Sequence, residues 1–571
     1  MTAADFNPAV LLILAGLASA GAPRLVRQVF SLAAPLLGLA LIWSTPLGTT
    51  QNVEISGLVL EPLRLDALAF PFALVFLIAA FLNGIYGLHN DDRMQDGAAL
   101  IYAGSGLGAT LAGDLATLFI YWEITAIASA FLIWAARNER AYRATMRYLG
   151  WQIGSGLLLL SGVVIHWRAT GSLAFEAMSL TGLAAWLIFL AFGIKCAFPL
   201  LHSWLQDAYP EATATGAVVL SAFTTKMAVY VFARAFAGES LLIPIGLVMT
   251  VFPVFFAVIE NDLRRVLAFS LNNQVGFMIV AVGIGTPLAL NGAVSHAFVH
   301  IIYKSLLFMS MGAVLTRVGT CKASELGGLH KSMPLTTIFC IIGAISIAGF
   351  PLTSGFIAKT QTLGAAAESG LFWTWLIMIF ASAGVMEHSG IKIPYFAFFA
   401  HDAGHRVKEA PFNMLIAMGL AAAACIGLGV FPDPLLAIMP YEAIKEPYTA
   451  ENVITKAQLL TFAVLAFAIL VRTGLYVQEI PSTNLSVDWF YRVPGKWLAQ
   501  RLAGAVAVSS EELAHLRQLA GREVIGHLYV VLGPQGLLAR TWSIGFAVLL
   551  VILVLAANLL FNLLWSPAAQ P

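Results

Sequence analysis

Charge is what this chain has least of. Lys, Arg, Asp and Glu together make up 11% of its 571 residues, where a soluble domain carries roughly 25%. Hydrophobic residues make up 59%, and the mean hydropathy is +0.85. A water-soluble globule is excluded, and an all-α polytopic membrane protein surrounded by lipid is expected. The charges nearly cancel, to a formal +1, so the basic groove that a nucleic-acid partner needs is missing. Cysteine is equally sparse. Cys196, Cys321, Cys340 and Cys425 lie far apart with no CxxC or Cys/His spacing, which argues against a disulfide framework and against zinc or iron–sulfur ligation. Cys196, although beside Lys195, reads as a small core residue. No GxGxxG fingerprint is present. No cofactor and no metal are therefore expected, and any electron chemistry would belong to other chains. The N-terminal MTAADFNPAVLLILAGLASAG has no basic residue before its apolar run, so a retained first span is expected rather than a cleaved signal.

What the chain does have is long apolar runs. They fall near 9–22, 29–44, 66–88, 98–112, 113–135, 145–166, 180–205, 213–235, 240–259, 266–285, 290–316, 334–365, 371–400, 411–431, 457–475 and 541–564, which makes sixteen candidate helices. Loop charge tests the count. With the N-terminus outside, one set of short loops carries Arg24, Arg27, Arg93, Arg137, Arg140, Arg143, Arg264, Arg265, Arg317, Lys322, Lys331, Arg406 and Lys408. The opposite set carries only Arg64, Arg168, Arg234, Lys445 and Lys456. The positive-inside rule puts the first set in the cytoplasm. Residues 476–540 are mixed and charged and fall on the cytoplasmic side, as amphipathic helices along the membrane or as a surface for a neighbouring subunit.

Inside the apolar runs stand Lys195, Lys226, Lys304, Lys359 and Lys392, with Glu123 in another. A charge at mid-bilayer costs from about 3 to more than 10 kcal/mol, so such residues mark pathways or relays. Two spans are also interrupted. The seventh, AFGIKCAFPLLHSWLQDAYPEA, has Pro199 four residues after Lys195; the twelfth, GAISIAGFPLTSGFIAKTQ, has Gly349, Pro351 and Gly355 ahead of Lys359. Proline removes a backbone donor, so both helices 7 and 12 should break at mid-depth. Freed backbone groups are tolerated there only beside protein or a hydrated cavity. Paired breaks point to an inverted repeat and its ion path. The expected architecture has about fourteen core helices: N-terminal helices in 1–97, a first five-helix repeat in 98–235, a connecting helix and loop in 236–265, a second five-helix repeat in 266–400, and further spans in 401–475. The segment 476–540 and a last helix and tail in 541–571 follow, so about two C-terminal helices are added.

The residue types suit proton transfer. Desolvation and a nearby carboxylate pull a lysine's proton affinity in opposite directions, so a Glu–Lys pair can act as a two-position switch, whereas arginine would stay charged. His296, His300 and Lys304, at i, i+4 and i+8, line one helix face and would make a wire of imidazoles and an amine. Lys392, near Glu387 and His388, either extends the route, opens a second exit or snorkels to an interface. Asp262-Leu263-Arg264-Arg265 is expected to anchor a cytoplasmic boundary. Asp207 and Glu211 either gather protons at the cytoplasmic mouth or solvate it.

Several longer stretches are specific. Tyr121-Trp122-Glu123, GIKCAFPLLHSWLQDAYPEATATGAV with the TTKMAVY after it, NDLRRVLAFSLNNQVGF, HAFVHIIYKSLLF, ELGGLHKSMPLT and GFPLTSGFIAKT resemble the proton-conducting membrane subunits shared by respiratory complex I and Mrp-type cation/proton antiporters. The resemblance runs from about residue 66 to 431. GIKIPYFAFFAHDAGHRVKEAPFNMLIAM is most similar to the D-type subunits of bacterial Mrp-type antiporters. The resemblance implies a Glu123–Lys195 pair in the first half-channel and Lys226 passing the proton to the centre. It implies a central relay of His296, His300 and Lys304, with Lys359 near the exit. Some members carry an acidic residue after that last lysine; this chain has Thr360, so tuning of Lys359 must come from elsewhere. The function implied is one subunit of a multisubunit antiporter in the bacterial inner membrane, exchanging protons for sodium or another monovalent cation alongside other membrane subunits. Two alternatives stay open: a proton-pumping subunit of an NADH- or hydrogen-linked oxidoreductase, and an energy-coupling subunit for inorganic carbon uptake.

Overall fold

The computed structural model describes residues 6–476 except Ser56, the pieces 479–480, 484, 486–498, 500–501 and 526, and the helix 544–565. Its chain divides into two units, Met1–Asn484 and Leu485–Pro571. Most of the amphipathic segment expected over 476–540 lies outside the described residues.

The first unit is helical apart from one hairpin. In chain order it contains α1 (Pro8–Ser19), α2 (Arg24–Ser44), β1 (Thr49–Ile55), β2 (Leu58–Leu65), α3 (Ala69–Gly87), α4 (Arg93–Leu111), α5 (Leu115–Trp134) and α6 (Glu139–Thr170). There follow α7 (Gly182–Cys196), α8 (Ser203–Ala208), α9 (Ala214–Ala222), α10 (Thr224–Ala235), α11 (Leu242–Ile259), α12 (Leu263–Ile284) and α13 (Pro287–Val318). Beyond them lie α14 (Pro334–Ala348), α15 (Ser354–Glu368), α16 (Phe372–Phe399), α17 (Phe412–Val430) and α18 (Ala450–Arg472). In the second unit the long described helix is α19 (Ile544–Trp565), after short helical turns at Asp488–Phe490 and Tyr491–Gly495. Eleven spans among the described residues are long and apolar enough to cross a membrane. The expected sixteen is reached when α1, α4, α19 and each of the two broken helices are counted once.

Helix ends are sealed by the short polar residues that the sequence places before them. Asp92, Asp114, Asn138, Asp262 and Thr286 accept backbone N–H bonds at the starts of α4, α5, α6, α12 and α13, which satisfies donors that have no intrahelical partner. Glycine brings backbones together where lipid supplies no driving force. On α11 and α12, a Cβ at Gly246 would lie 2.8 Å from Gly276 O, and one at Gly276 2.8 Å from Gly246 O.

Both expected breaks are present, and they share one geometry. After α7, the N–H groups of Ala197 and Phe198 donate to Ile194 O and Gly193 O; after α14, those of Gly349 and Phe350 donate to Ser346 O and Ile345 O. Each is a Schellman cap with its turning residue in the left-handed region, Ala197 at φ 62° and Gly349 at φ 77°. The same Phe-Pro-Leu follows in both, and Leu200 and Leu352 each sit at φ 70°. Left-handed backbone costs roughly 1–2 kcal/mol in a residue with a Cβ, so the breaks hold local strain at matching positions of the two halves.

Three features differ from the sequence reading. The β1–β2 hairpin, antiparallel with Thr49 opposite Leu65, falls where only a loop was expected. It reaches two further loops: Gly113 N donates to its Glu61 O at 2.8 Å, and its Arg64 side chain donates through Nη2 to Phe175 O at 2.6 Å. These contacts join three segments that the charge rule puts on one side. Arg234, expected in a loop, ends α10 and donates twice to the Asp66 carboxylate at 2.7 Å. Lys456, also expected in a loop, lies inside α18 and is 7% exposed.

Candidate functional site

The first cluster joins α5, α6 and α7. Lys195 stands in the last turn of α7, fully buried. Its Nζ donates to Trp122 O at 2.6 Å and lies 4.4 Å from the centre of the Trp122 ring, so carbonyl and π face share its charge. The indole is fixed in turn: Trp122 Nε1 donates to Ser155 Oγ at 3.0 Å, and Ser155 Oγ to Ala191 O at 2.8 Å. Glu123, the next residue, is half-buried and points elsewhere. Its carboxylate rests on α6 against Gly156, where a Cβ would lie 1.7 Å from Oε1. Oε1 has no hydrogen-bond partner among the described residues. Glu123 and Lys195 are thus within Coulombic reach but out of contact, where the resemblance implies a pair.

Lys226 owes its seat to a kink. The helix over 214–235 is interrupted at Phe223 (φ −104°, ψ −68°), and the Ser221 carbonyl freed there accepts from Lys226 Nζ at 2.6 Å. Two pairs of buried hydroxyls link α4 to α10 and α5 to α6. Tyr102 Oη is 2.7 Å from Thr224 Oγ1, and Ser129 Oγ is 2.7 Å from Tyr148 Oη.

The centre of α13 carries His296, His300 and Lys304, all at 0% exposure. His296 Nε2 is 3.1 Å from both Gln274 Oε1 and Tyr303 Oη, and the His296 and His300 rings are 6.3 Å apart. Both ring nitrogens of His300 and the Nζ of Lys304 have no hydrogen-bond partner among the described residues. Lys226 and Lys304 are in Coulombic reach of each other and of His300, and Lys359 of both histidines. The structure therefore gathers three of the predicted residues, His296, His300 and Lys304, around Lys226, with Lys359 in reach of the two histidines. It also supplies Gln274 and Tyr303, neutral residues that neither charge nor spacing marks in the sequence.

Lys359 lies just past the second break. Its Nζ donates to Ile347 O at 2.7 Å and Ala348 O at 3.3 Å, carbonyls that the interrupted helix leaves free, and lies 3.5 Å from Ser382 Oγ. Lys456 Nζ donates to the same Ser382 oxygen at 2.7 Å. Lys392 has a different setting. It caps the end of α11 through Ala257 O, Val258 O and Glu260 O, and pairs with Glu479 at 2.8 Å. Of the six buried lysines in these spans, Lys392 alone has a carboxylate within 4.0 Å among the described residues. His388, one helical turn before it, reaches both Lys304 and Lys359 electrostatically.

At the end that the charge rule assigns to the cytoplasm, Asp207 is buried and held by Arg147 at 2.6 and 2.9 Å, so it clamps α8 to α6 where a proton collector or a solvated residue was expected. Glu211 lies 3.9 Å from Arg265. Arg264 donates to Ala212 O at 2.6 Å, in keeping with the anchoring expected of this loop. No group of three or more His, Cys, Asp or Glu residues that could hold a metal ion occurs among the described residues.

Known proteins share both sequence and fold. The family described as NADH:quinone oxidoreductase/Mrp antiporter, transmembrane, matches residues 112–384. The D-type subunit of the Na(+)/H(+) antiporter of Alkalihalophilus pseudofirmus is 30% identical over 353 residues, covering 57% of this chain and 71% of that relative. This chain belongs to that family. It is an antiporter-like, proton-translocating transporter subunit and a multi-pass membrane protein. The N-type subunit of the F(420)H(2) dehydrogenase of Methanosarcina mazei is 27% identical over 410 residues, 66% of this chain and 83% of that one. A chain of the Mrp complex from Dietzia has the same fold, at TM-score 0.69 and 20% identity over 81% of this chain and 98% of its own. A chain of the archaeal membrane-bound sulfane sulfur reductase aligns at TM-score 0.69 and 22% identity over 97% of this chain and 99% of its own.

Proposed function

We propose that this chain is the proton-translocating subunit of a multisubunit monovalent cation (sodium)/proton antiporter in a bacterial inner membrane, working beside other membrane subunits. Protons would pass along Glu123, Lys195, Lys226, His300, Lys304, His296 and Lys359. The observation that carries the reading is the central cluster: amines and imidazoles from α10, α13 and α15, buried and, among the described residues, without carboxylate partners, between two broken helices. Unpaired buried charge costs several kcal/mol, and a static scaffold would gain nothing from it. Groups that bind and release protons through internal water explain it, because ordered water satisfies such atoms. Glu123 resting away from Lys195 corresponds to the switch position in which Lys195 is free to pass its proton on. The Tyr102–Thr224 and Ser129–Tyr148 hydroxyls offer a path towards Lys226. Lys392, held by Glu479 and three carbonyls, serves as a helix cap at the edge of this route. The stretches 98–235 and 266–400 are taken as the two repeats.

The named relatives keep a second reading in view, a proton-pumping subunit of a redox complex, since one belongs to a dehydrogenase. Purification of the native complex separates the two. Small membrane subunits and sodium-dependent proton movement in vesicles support the antiporter; co-purifying redox subunits with sodium-independent movement overturn it in favour of the pump.

A further inference from the structure

The second broken helix holds an amine for which the relay above has no use. Lys456 comes from α18, outside both repeats, and is buried. Its Nζ donates to Ser382 Oγ at 2.7 Å, and Lys359 Nζ lies 3.5 Å from that same oxygen. The two side chains also meet along their stems. A Cβ on Gly349, the turning residue of the break, would stand 3.0 Å from Lys359 Cδ and 3.3 Å from Lys456 Cε. Two amines from separate helices thus converge on one hydroxyl, and no carboxylate lies within 4.0 Å of either among the described residues. Thr360 supplies no charge beside Lys359, so the charged neighbour that tunes it here is another lysine.

Like charges at this spacing disfavour double protonation, while a hydroxyl that both donates and accepts can hand a hydrogen from one amine to the other. Resting on the relay reading, we propose that Lys456 is a further proton-carrying residue, which exchanges a proton with Lys359 across Ser382 Oγ. In that exchange an N–H bond of protonated Lys359 breaks as its proton bonds to Ser382 Oγ. The Ser382 O–H bond breaks as its hydrogen bonds to the lone pair of neutral Lys456 Nζ. One ammonium replaces another, with no change in net charge and no redox step. A fixed positive charge at this site would not perform it.

Proton movement per assembled complex, measured in vesicles, tests this with Lys456→Met, Lys456→Arg and Ser382→Ala. Arginine keeps the charge and a donor to Ser382 but does not release its proton. At least a tenfold loss is expected in all three, with normal assembly of Lys456→Arg. Wild-type rates in Lys456→Arg would make the residue a fixed charge and overturn the proposal, as would wild-type rates in Lys456→Met. If Lys456→Met fails to accumulate, Ser382→Ala decides, because it keeps both amines and removes only the shared oxygen; unimpaired transport there overturns the exchange. Lys304→Met and Lys359→Met serve as the reference. Their loss of transport beside active Lys456 variants removes this inference alone, whereas activity in all of them removes the relay itself.

Discussion

Replacing Gly156 with alanine should slow transport at least tenfold without weakening the protein. The new methyl carbon would lie 1.7 Å from Glu123 Oε1 and 2.5 Å from its Cδ, well inside the usual ~3.5–4.0 Å contact between heavy atoms. The carboxylate must therefore leave its seat on α6. Two local terms offset each other: alanine for glycine in a helix interior stabilises by about 0.5–1 kcal/mol, and an off-rotamer glutamate costs about 0.5–1.5 kcal/mol. Folding and assembly should stay near wild type. A carboxylate driven from α6 has Lys195 as its nearest opposite charge, and a pair about 4 Å apart attracts by roughly 4 kcal/mol at an effective dielectric near 20. That attraction opposes proton release by up to about a thousandfold, since each 1.36 kcal/mol is a factor of ten. Proton movement in vesicles, normalised to assembled protein, should fall between tenfold and a thousandfold. Gly154→Ala is the control on the same helix, because nothing lies within 4 Å of a Cβ there; it should transport normally. Wild-type rates in Gly156→Ala would refute the idea that the position of Glu123 controls Lys195.

Other expectations concern the frame around the relay. Arg27, 1% exposed, pairs with Asp91 and with Asp96 at 2.9 Å. Arg27→Met should lower stability by about 3 kcal/mol by stranding a carboxylate, read as a drop in Tm that Asp96→Asn partly restores. Asp114 accepts from Thr117 N at 2.8 Å and Glu61 N at 2.7 Å, tying the α5 cap to the hairpin. Asp114→Ala should cost about 2 kcal/mol and speed hydrogen exchange in residues 58–65. In the loop before α14, the Lys322 ammonium and then the Thr320 hydroxyl hold the Glu325 carboxyl below its ordinary 4.5. That contribution is complete above about pH 4.5 and is lost as pH falls through the lowered value; proteolysis of the loop in detergent should rise there and not at neutral pH.

How far the sequence discloses this structure depends on the residue. The breaks at Pro199 and Pro351 are readable because proline and the left-handed Gly349 act locally. The His296, His300 and Lys304 face is readable because helical spacing alone sets it. Lys456 is hidden for the opposite reason. It sits in the second turn of α18, ahead of the strongest part of the apolar run, so hydropathy assigns it to a loop, and only packing against α15 and α16 shows it buried. Glu479 pairs with Lys392 from far along the chain, with no periodicity to connect them. The hairpin 49–65 has two short runs, the first of them largely exposed on both faces, and its partners are loop backbones, which sequence patterns do not encode. The separation of Glu123 from Lys195 depends on a glycine of a third helix, visible only when α5, α6 and α7 are assembled.

The most direct test of the relay follows the proton itself. Cation-driven acidification or alkalinisation should be recorded in vesicles that hold the assembled complex with Lys304→Met, the lysine whose Nζ lacks any hydrogen-bond partner among the described residues. Unimpaired assembly with proton movement abolished is the predicted result. Proton movement at the wild-type rate in that variant would contradict a relay through the buried amines.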